Sequence, residues 1–165
     1  MTAYHLAQIN IGVPREPVDS PLLADFVAAL DPINRVADQS PGFVWRLQTD
    51  DGNATAVPWT SDARVIVNMS VWESLEALSD FVYRSAHIEV MRQRRKWFEP
   101  MAELYMVLWW VPRGHVPTVA EAEERLLHLR AHGPTATAFS FRSPFPPPGS
   151  ADVIASRDED RCPGP

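Results

Sequence analysis

The chain has almost no cysteine. Cys162 is the only one in 165 residues, which excludes an internal disulfide and any zinc site built from several thiolates. It has no apolar run near the roughly 20 residues of a membrane-spanning helix. Its first residues, MTAYHLAQIN, lack the basic stretch and apolar core of a secretion signal, so a soluble, cytoplasmic protein is expected. Positive charge is not in excess: 15 Lys and Arg against 21 Asp and Glu leave a formal net charge of −6. The basic footprint of a duplex-binding protein is therefore missing, and neither nucleic acid nor a membrane is an expected partner. There is no G-x-G-x-x-G, no P-loop, no G-x-S-x-G and no Cys–His pairing, so nucleotide-dependent chemistry and covalent hydrolysis lose support. No internal repeat is visible.

What is present is enough apolar material for one domain. Hydrophobic residues make up 45% of the chain and charged ones 22%, the balance of a chain that buries a core. Proline and tryptophan are abundant, at 16 and six residues. The prolines gather toward the C-terminus, in SPFPPPGS and RCPGP. With no apolar period there, burial cannot offset the entropy of ordering. The division expected is a folded domain over 3–142 and a disordered, proline-rich tail over 143–165 that holds Cys162 as an inert thiol.

Within the domain, Tyr4 to Ile11 alternates as a strand. One face carries His5, Ala7, Ile9 and Ile11, the other Tyr4, Leu6, Gln8 and Asn10. Ser20 before Pro21 predicts a helix start. Leu22, Phe26, Leu30, Ile33 and Ala37 keep helical spacing, with Pro32 expected to kink or split the helix. Phe43 to Gln48 is a second strand, followed by a long polar loop, TDDGNATAVPWTSD. Arg64 to Trp72 is a third, with Val65, Val67, Met69 and Val71 on one face and Arg64, Ile66, Asn68, Ser70 and Trp72 on the other. A helical region then carries Leu75, Leu78, Phe81 and Val82 on one stripe, with a break expected near Ser85–His87. Leu104 to Val111 is a fourth strand. Thr118 and Glu121 form a T-x-x-E capping box for a last helix, stopped by Gly133 and Pro134.

The order β-α-β-β-α-β predicts an α+β, ferredoxin-like fold whose antiparallel sheet carries helices on one face only. The all-aliphatic side of the third strand is expected to meet those helices. The Asn68, Ser70, Trp72 side is too mixed for a helix interface and too aromatic for bare solvent. A partner's sheet would cover it and enclose a semi-polar cavity, which predicts a homodimer.

The stretches YHLAQINIG, FVAALDPIN, SPGFVWRLQ, VNMSVWESLEALSDFVYRSAH, RRKWFEPM and VLWWVPRGHVPTVAEA resemble a bacterial family known as domain of unknown function 3291, from about Tyr4 to Phe145. Members of that family often carry Gly where this chain has Ala86. The resemblance implies a place in the dimeric α/β-barrel superfamily. That group includes cofactor-independent antibiotic-biosynthesis monooxygenases and also heme proteins, so a fold and a dimer are implied and a single reaction is not.

The candidate site follows from these patterns. Asn68, Ser70 and Trp72 share the mixed strand face as cavity-lining residues. In the resembling monooxygenases, Asn and Trp side chains position a phenolic substrate that reacts with oxygen directly. His87 suits a general base, or an axial ligand if heme is the cofactor. No cofactor and no other metal is expected otherwise. Trp45 and Arg46 are neighbours on a strand, as are Trp109 and Trp110, so in each pair the two point to opposite faces. Trp45, Arg46 and Trp110 join the candidates for substrate contact, with the choice within each pair open. His5 is read as structural, and His128 with His132 as a surface pair. The basic run Arg84, Arg92, Arg94, Arg95 and Lys96 is read as a solvated helix face with local ion pairs; the sharper alternative is an anion site for a carboxylate or propionate. The expected function is a cofactor-independent oxygenase acting on an aromatic or quinol-type substrate. A heme oxidoreductase and a non-catalytic ligand-binding dimer are the alternatives.

Overall fold

The computed structural model describes residues 3–49, 59 and 62–150. Strand β1 (Tyr4–Gly12) leads through a 3-10 turn at Pro21–Leu23 into helix α1 (Ala24–Gln39). Strands β2 (Phe43–Arg46) and β3 (Ile66–Trp72) follow, then α2 (Leu75–Arg84), the short helices α3 (His87–Arg92) and α4 (Arg94–Trp97), β4 (Met106–Pro112) and α5 (Val119–His132). The strands lie in the order β2-β3-β1-β4, every neighbouring pair antiparallel. This is the ferredoxin-like α+β arrangement that the element order predicts.

Local chemistry sets several boundaries. Ser74 Oγ accepts from the Ala77 amide at 3.1 Å and starts α2. Thr118 Oγ1 accepts from the Glu121 amide at 3.1 Å and starts α5, as the capping box predicts. Gly133 ends α5 at φ 72°, a conformation natural to glycine. Two details of α1 differ from expectation. Ser20 makes no side-chain cap bond, and Pro32 lies inside a continuous helix. The carbonyl that Pro32 leaves unbonded belongs to Ala28, which is exposed, so water can serve it.

The two sheet faces are covered differently from the sequence expectation. Ala7, Ile9, Val67, Met69, Val107 and Trp109 lie on the aliphatic face, and they pack against Ala122, Leu126 and Leu129 of α5. The mixed face carries the crossover helices: Leu6, Trp72 and Leu108 pack with Ala37 of α1 and with Leu78 and Val82 of α2. Helices thus cover both faces, not one. The reason is topological. The connections β1-α1-β2 and β3-α2-β4 join parallel strands and deliver their helices to a single side. Helix α5 follows the last strand, is free of that constraint, and takes the face that remains. Face chemistry alone therefore gives no ground for a partner sheet.

The helices pack on this mixed face through two apolar clusters. Toward one end lies the cluster around Leu6 and Trp72. Toward the other, Leu23, Phe26, Trp97 and Phe98 form a second cluster with Ile66 against it. Between them, on β1 and β3, stand Gln8, Asn10, Asn68 and Ser70, paired in register as Gln8 with Ser70 and Asn10 with Asn68. That polar strip, flanked by Leu108 and Met106 of β4, is the floor of a cavity.

The tail does not begin at residue 143. Phe145 packs into the cluster around Leu108 and Phe139, its ring 5.9 Å from that of Phe139, and its carbonyl accepts from Trp110 Nε1 at 2.9 Å. A single aromatic side chain supplies the burial that the proline-rich composition concealed. Residues 151–165, with Cys162, lie outside the described residues, as does most of the polar loop after β2.

Candidate functional site

A cavity of about 410 Å³ opens between the mixed face and helices α1 to α4, a size that suits a small organic ligand. Its floor is a hydrogen-bonded ladder. Gln8, only 5% exposed, donates both amide hydrogens, to Asn68 Oδ1 at 2.9 Å and Ser70 Oγ at 2.8 Å. Its Oε1 accepts from Asn10 Nδ2 at 3.3 Å. Ser70 Oγ also accepts from Trp72 Nε1 at 2.9 Å. With two bonds accepted, the Ser70 hydroxyl keeps its own hydrogen for donation, and with Oδ1 occupied, Asn68 keeps its NH₂ group. The floor therefore offers donors to the cavity.

An aromatic stack links this floor to His87. Trp72 is fully buried, with Phe43 edge-on at 5.4 Å and Phe81 stacked at 5.1 Å. Phe81 in turn lies 4.8 Å from the His87 ring. The break expected near Ser85–His87 is what places this imidazole. Helix α2 ends at Arg84, the Ser85 hydroxyl donates back to the Phe81 carbonyl, and Ser85 Oγ accepts the His87 amide at 3.1 Å. The chain turns there and α3 starts at His87 itself. Burial holds the His87 pKa below the ordinary 6.5, with the Val82 carbonyl opposing the shift. His87 Nδ1 lies 3.4 Å from that carbonyl. Since a carbonyl only accepts, Nδ1 carries the hydrogen, and Nε2 is left as the basic nitrogen of a neutral ring.

The structure brings together Asn68, Ser70, Trp72, His87 and Arg46 as cavity-lining residues. It separates two other candidates. Trp45 packs into the aliphatic core on the opposite face. Trp110 is on the mixed face, but it is covered by Phe139 and Phe145 and is not part of the cavity wall. Within the two open pairs, then, Arg46 is the cavity-side member of the first, and Trp109 lies in the aliphatic core. Arg46 is also held by Asp38, at 2.7 Å from Nε and 3.3 Å from Nη2. Among the described residues no group of three or more His, Cys, Asp or Glu could hold a metal ion, and no helix is long and apolar enough to cross a membrane.

Three polar lining residues, Gln8, Asn10 and Arg94, stand beside those the sequence points to. Gln8 and Asn10 carry the same polar i, i+2 alternation as Asn68 and Ser70, a signal that was present in β1. Arg94 belongs to the basic run, whose members are alike in sequence. Only the fold turns this one into the cavity.

Two solved structures are similar to this chain. A protein of unknown function from Nitrosomonas europaea shares 12% identity, with a TM-score of 0.42 over 70% of this chain and 95% of its own. A protein from Chloroflexus aurantiacus J-10-fl, provisionally assigned as an antibiotic biosynthesis monooxygenase, shares 14% identity, with a TM-score of 0.41 over 70% and 98%. No curated protein matches the sequence. A family model does match, and it spans residues 5–155, nearly all of the elements that build the sheet, its two coverings and the cavity. On that match the chain belongs to the family described as domain of unknown function (DUF3291).

Proposed function

We propose that the cavity is the active site of a small-molecule enzyme, an oxygenase that needs no bound cofactor and acts on an aromatic or quinol-type substrate. One observation carries this reading: a neutral imidazole and a ladder of hydrogen-bond donors line the same cavity. His87 Nε2 removes the substrate's acidic proton. The Asn68 NH₂ and Ser70 hydroxyl stabilise the oxyanion that forms, and the buried Trp72, wedged between Phe43 and Phe81, holds the Ser70 oxygen in place through its indole N–H. The electron-rich carbon then reduces dioxygen. One oxygen atom enters the substrate as a carbonyl, and the other leaves as water with the two hydrogens of the oxidised CH₂ group or its phenolic tautomer.

Heme does not suit these residues. Its two propionates call for two cations, yet of the two arginines in the wall Arg46 is already bonded to Asp38. Its apolar macrocycle would lie on amides. The wall is furnished by helices of one chain, so the reading needs no partner subunit to complete the site.

The test is oxygen uptake with anthrone as probe, beside a visible spectrum of the purified protein. Uptake with one water formed per O₂, from protein without a Soret band, supports the reading. A Soret band, or a ligand bound tightly and recovered unchanged under oxygen, overturns it.

A further inference from the structure

The chain carries six more acidic than basic residues, yet the cavity wall contains two arginines and, among the described residues, no carboxylate. One arginine, Arg46, is bonded to Asp38. The other, Arg94, has no acidic partner among the described residues. In this it differs from Arg64, Arg84, Arg92 and Arg130, each of which pairs with a carboxylate. Arg94 is nevertheless built in. Its guanidinium lies 4.4 Å from the Tyr105 ring centre and 5.0 Å from that of Phe98, and Nη2 donates to the Ile11 carbonyl at 2.7 Å. Burial pulls its pKa down, opposed by Tyr105, but an arginine stays charged. A half-buried cation whose nearest partners are two rings and a carbonyl is under-compensated, and most of its five N–H donors remain for a ligand.

We infer that Arg94 is an anion subsite, and that the cavity's ligand is an aromatic carboxylate whose acid group sits on the Arg94 guanidinium and whose ring lies over the Asn10 and Asn68 end of the floor. A single charge with no acidic partner among the described residues matches a monoanion. A phosphate near −2 would bring surplus negative charge into the cavity. The planar guanidinium, set against the Phe98 and Tyr105 rings, has the fork of donors that matches a planar carboxylate. Tyr105 and Leu104, exposed and part of the same wall, mark this as the side by which such a ligand enters. The inference rests on the cavity being a ligand site, not on the reaction it performs.

The experiment compares 2-naphthoate with its neutral isostere 2-naphthamide by tryptophan quenching and calorimetry on the full chain. A charge-assisted pair of this kind is worth at least a tenfold preference for the acid. In Arg94→Gln the preference should vanish while amide affinity holds, and Arg94→Lys should restore part of it. Equal affinity for acid and amide in the unaltered protein overturns the proposal even if every variant fails to fold. So does an acid preference that persists in Arg94→Gln. Arg92→Gln, which alters an exposed arginine outside the wall, should leave the preference intact. If naphthoate binds as stated but no substrate consumes oxygen, the oxygenase reading fails and the subsite stands.

Discussion

Replacing Ser70 by alanine should cost the protein far more than the loss of one surface hydroxyl. Ser70 is 7% exposed and its oxygen accepts from two buried donors, Gln8 Nε2 at 2.8 Å and Trp72 Nε1 at 2.9 Å. Ser70→Ala leaves both hydrogens without an acceptor. An orphaned buried donor costs about 1–3 kcal/mol, and the cavity beside the strip lets water reach Gln8 more easily than the sealed indole. We expect a total of about 3 kcal/mol in urea unfolding, which for a chain of this length corresponds to a fall in Tm of roughly 6–12 °C. The origin can be isolated with Trp72→Phe, which removes the indole donor. In that background Ser70→Ala orphans only Gln8, so the double mutant should be less destabilised than the sum of the singles by about 1 kcal/mol or more. Strict additivity, or a cost below about 0.5 kcal/mol for Ser70→Ala alone, would refute the view that this hydroxyl holds the ladder together.

His87→Ala should keep stability within about 1 kcal/mol, as for a half-buried residue outside the packed core, and lower turnover by at least ~100-fold, the lower end of general-base effects. Because the folded protein binds the His87 proton less tightly than the unfolded chain does, this group's contribution to stability is complete above pH 6.5 and is lost as pH falls through 6.5 toward the folded pKa. The kcat/KM profile should accordingly show an acid limb below 6.5 that disappears in His87→Ala; a limb that persists assigns the base elsewhere. Ending the chain after Arg142 removes Phe145 from its cluster and should cost about 1–2 kcal/mol, less than a full Phe truncation in a core because Phe145 is only partly buried; an unchanged melting curve would return residues 143–150 to the tail. Both sheet faces are covered within one chain, so sedimentation velocity at micromolar concentration should show no association through the aliphatic face. If a dimer forms, Leu126→Asp should then unfold the protein rather than yield a folded monomer.

The sequence by itself determined the pieces and their polarity. Period-two alternation placed Asn68, Ser70 and Trp72 on one face and Val67, Met69 and Val71 on the other, because side-chain direction in a strand is set locally. The Thr118–Glu121 box and the break before His87 were legible for the same reason, since capping and helix termination are settled over a few residues. The tertiary structure decided everything that depends on pairing across the chain. The register that joins Gln8 to Ser70 spans some 60 residues and turns two separate polar pairs into one ladder. Alternation said that Trp109 and Trp110 face opposite ways, but the position of α5 decided which of them is core. Crossover handedness put α1 and α2 on one side of the sheet, and that side is the mixed face, the reverse of the assignment that hydrophobicity favoured. Phe145 shows the same limit at the C-terminus, where one distant contact with Trp110 outweighs a proline-rich composition. Among five nearby basic residues, only the path of α4 past β1 singled out Arg94. A charge acquires its role from the groups that bury it, and those groups, Ile11, Phe98 and Tyr105, come from three different parts of the chain.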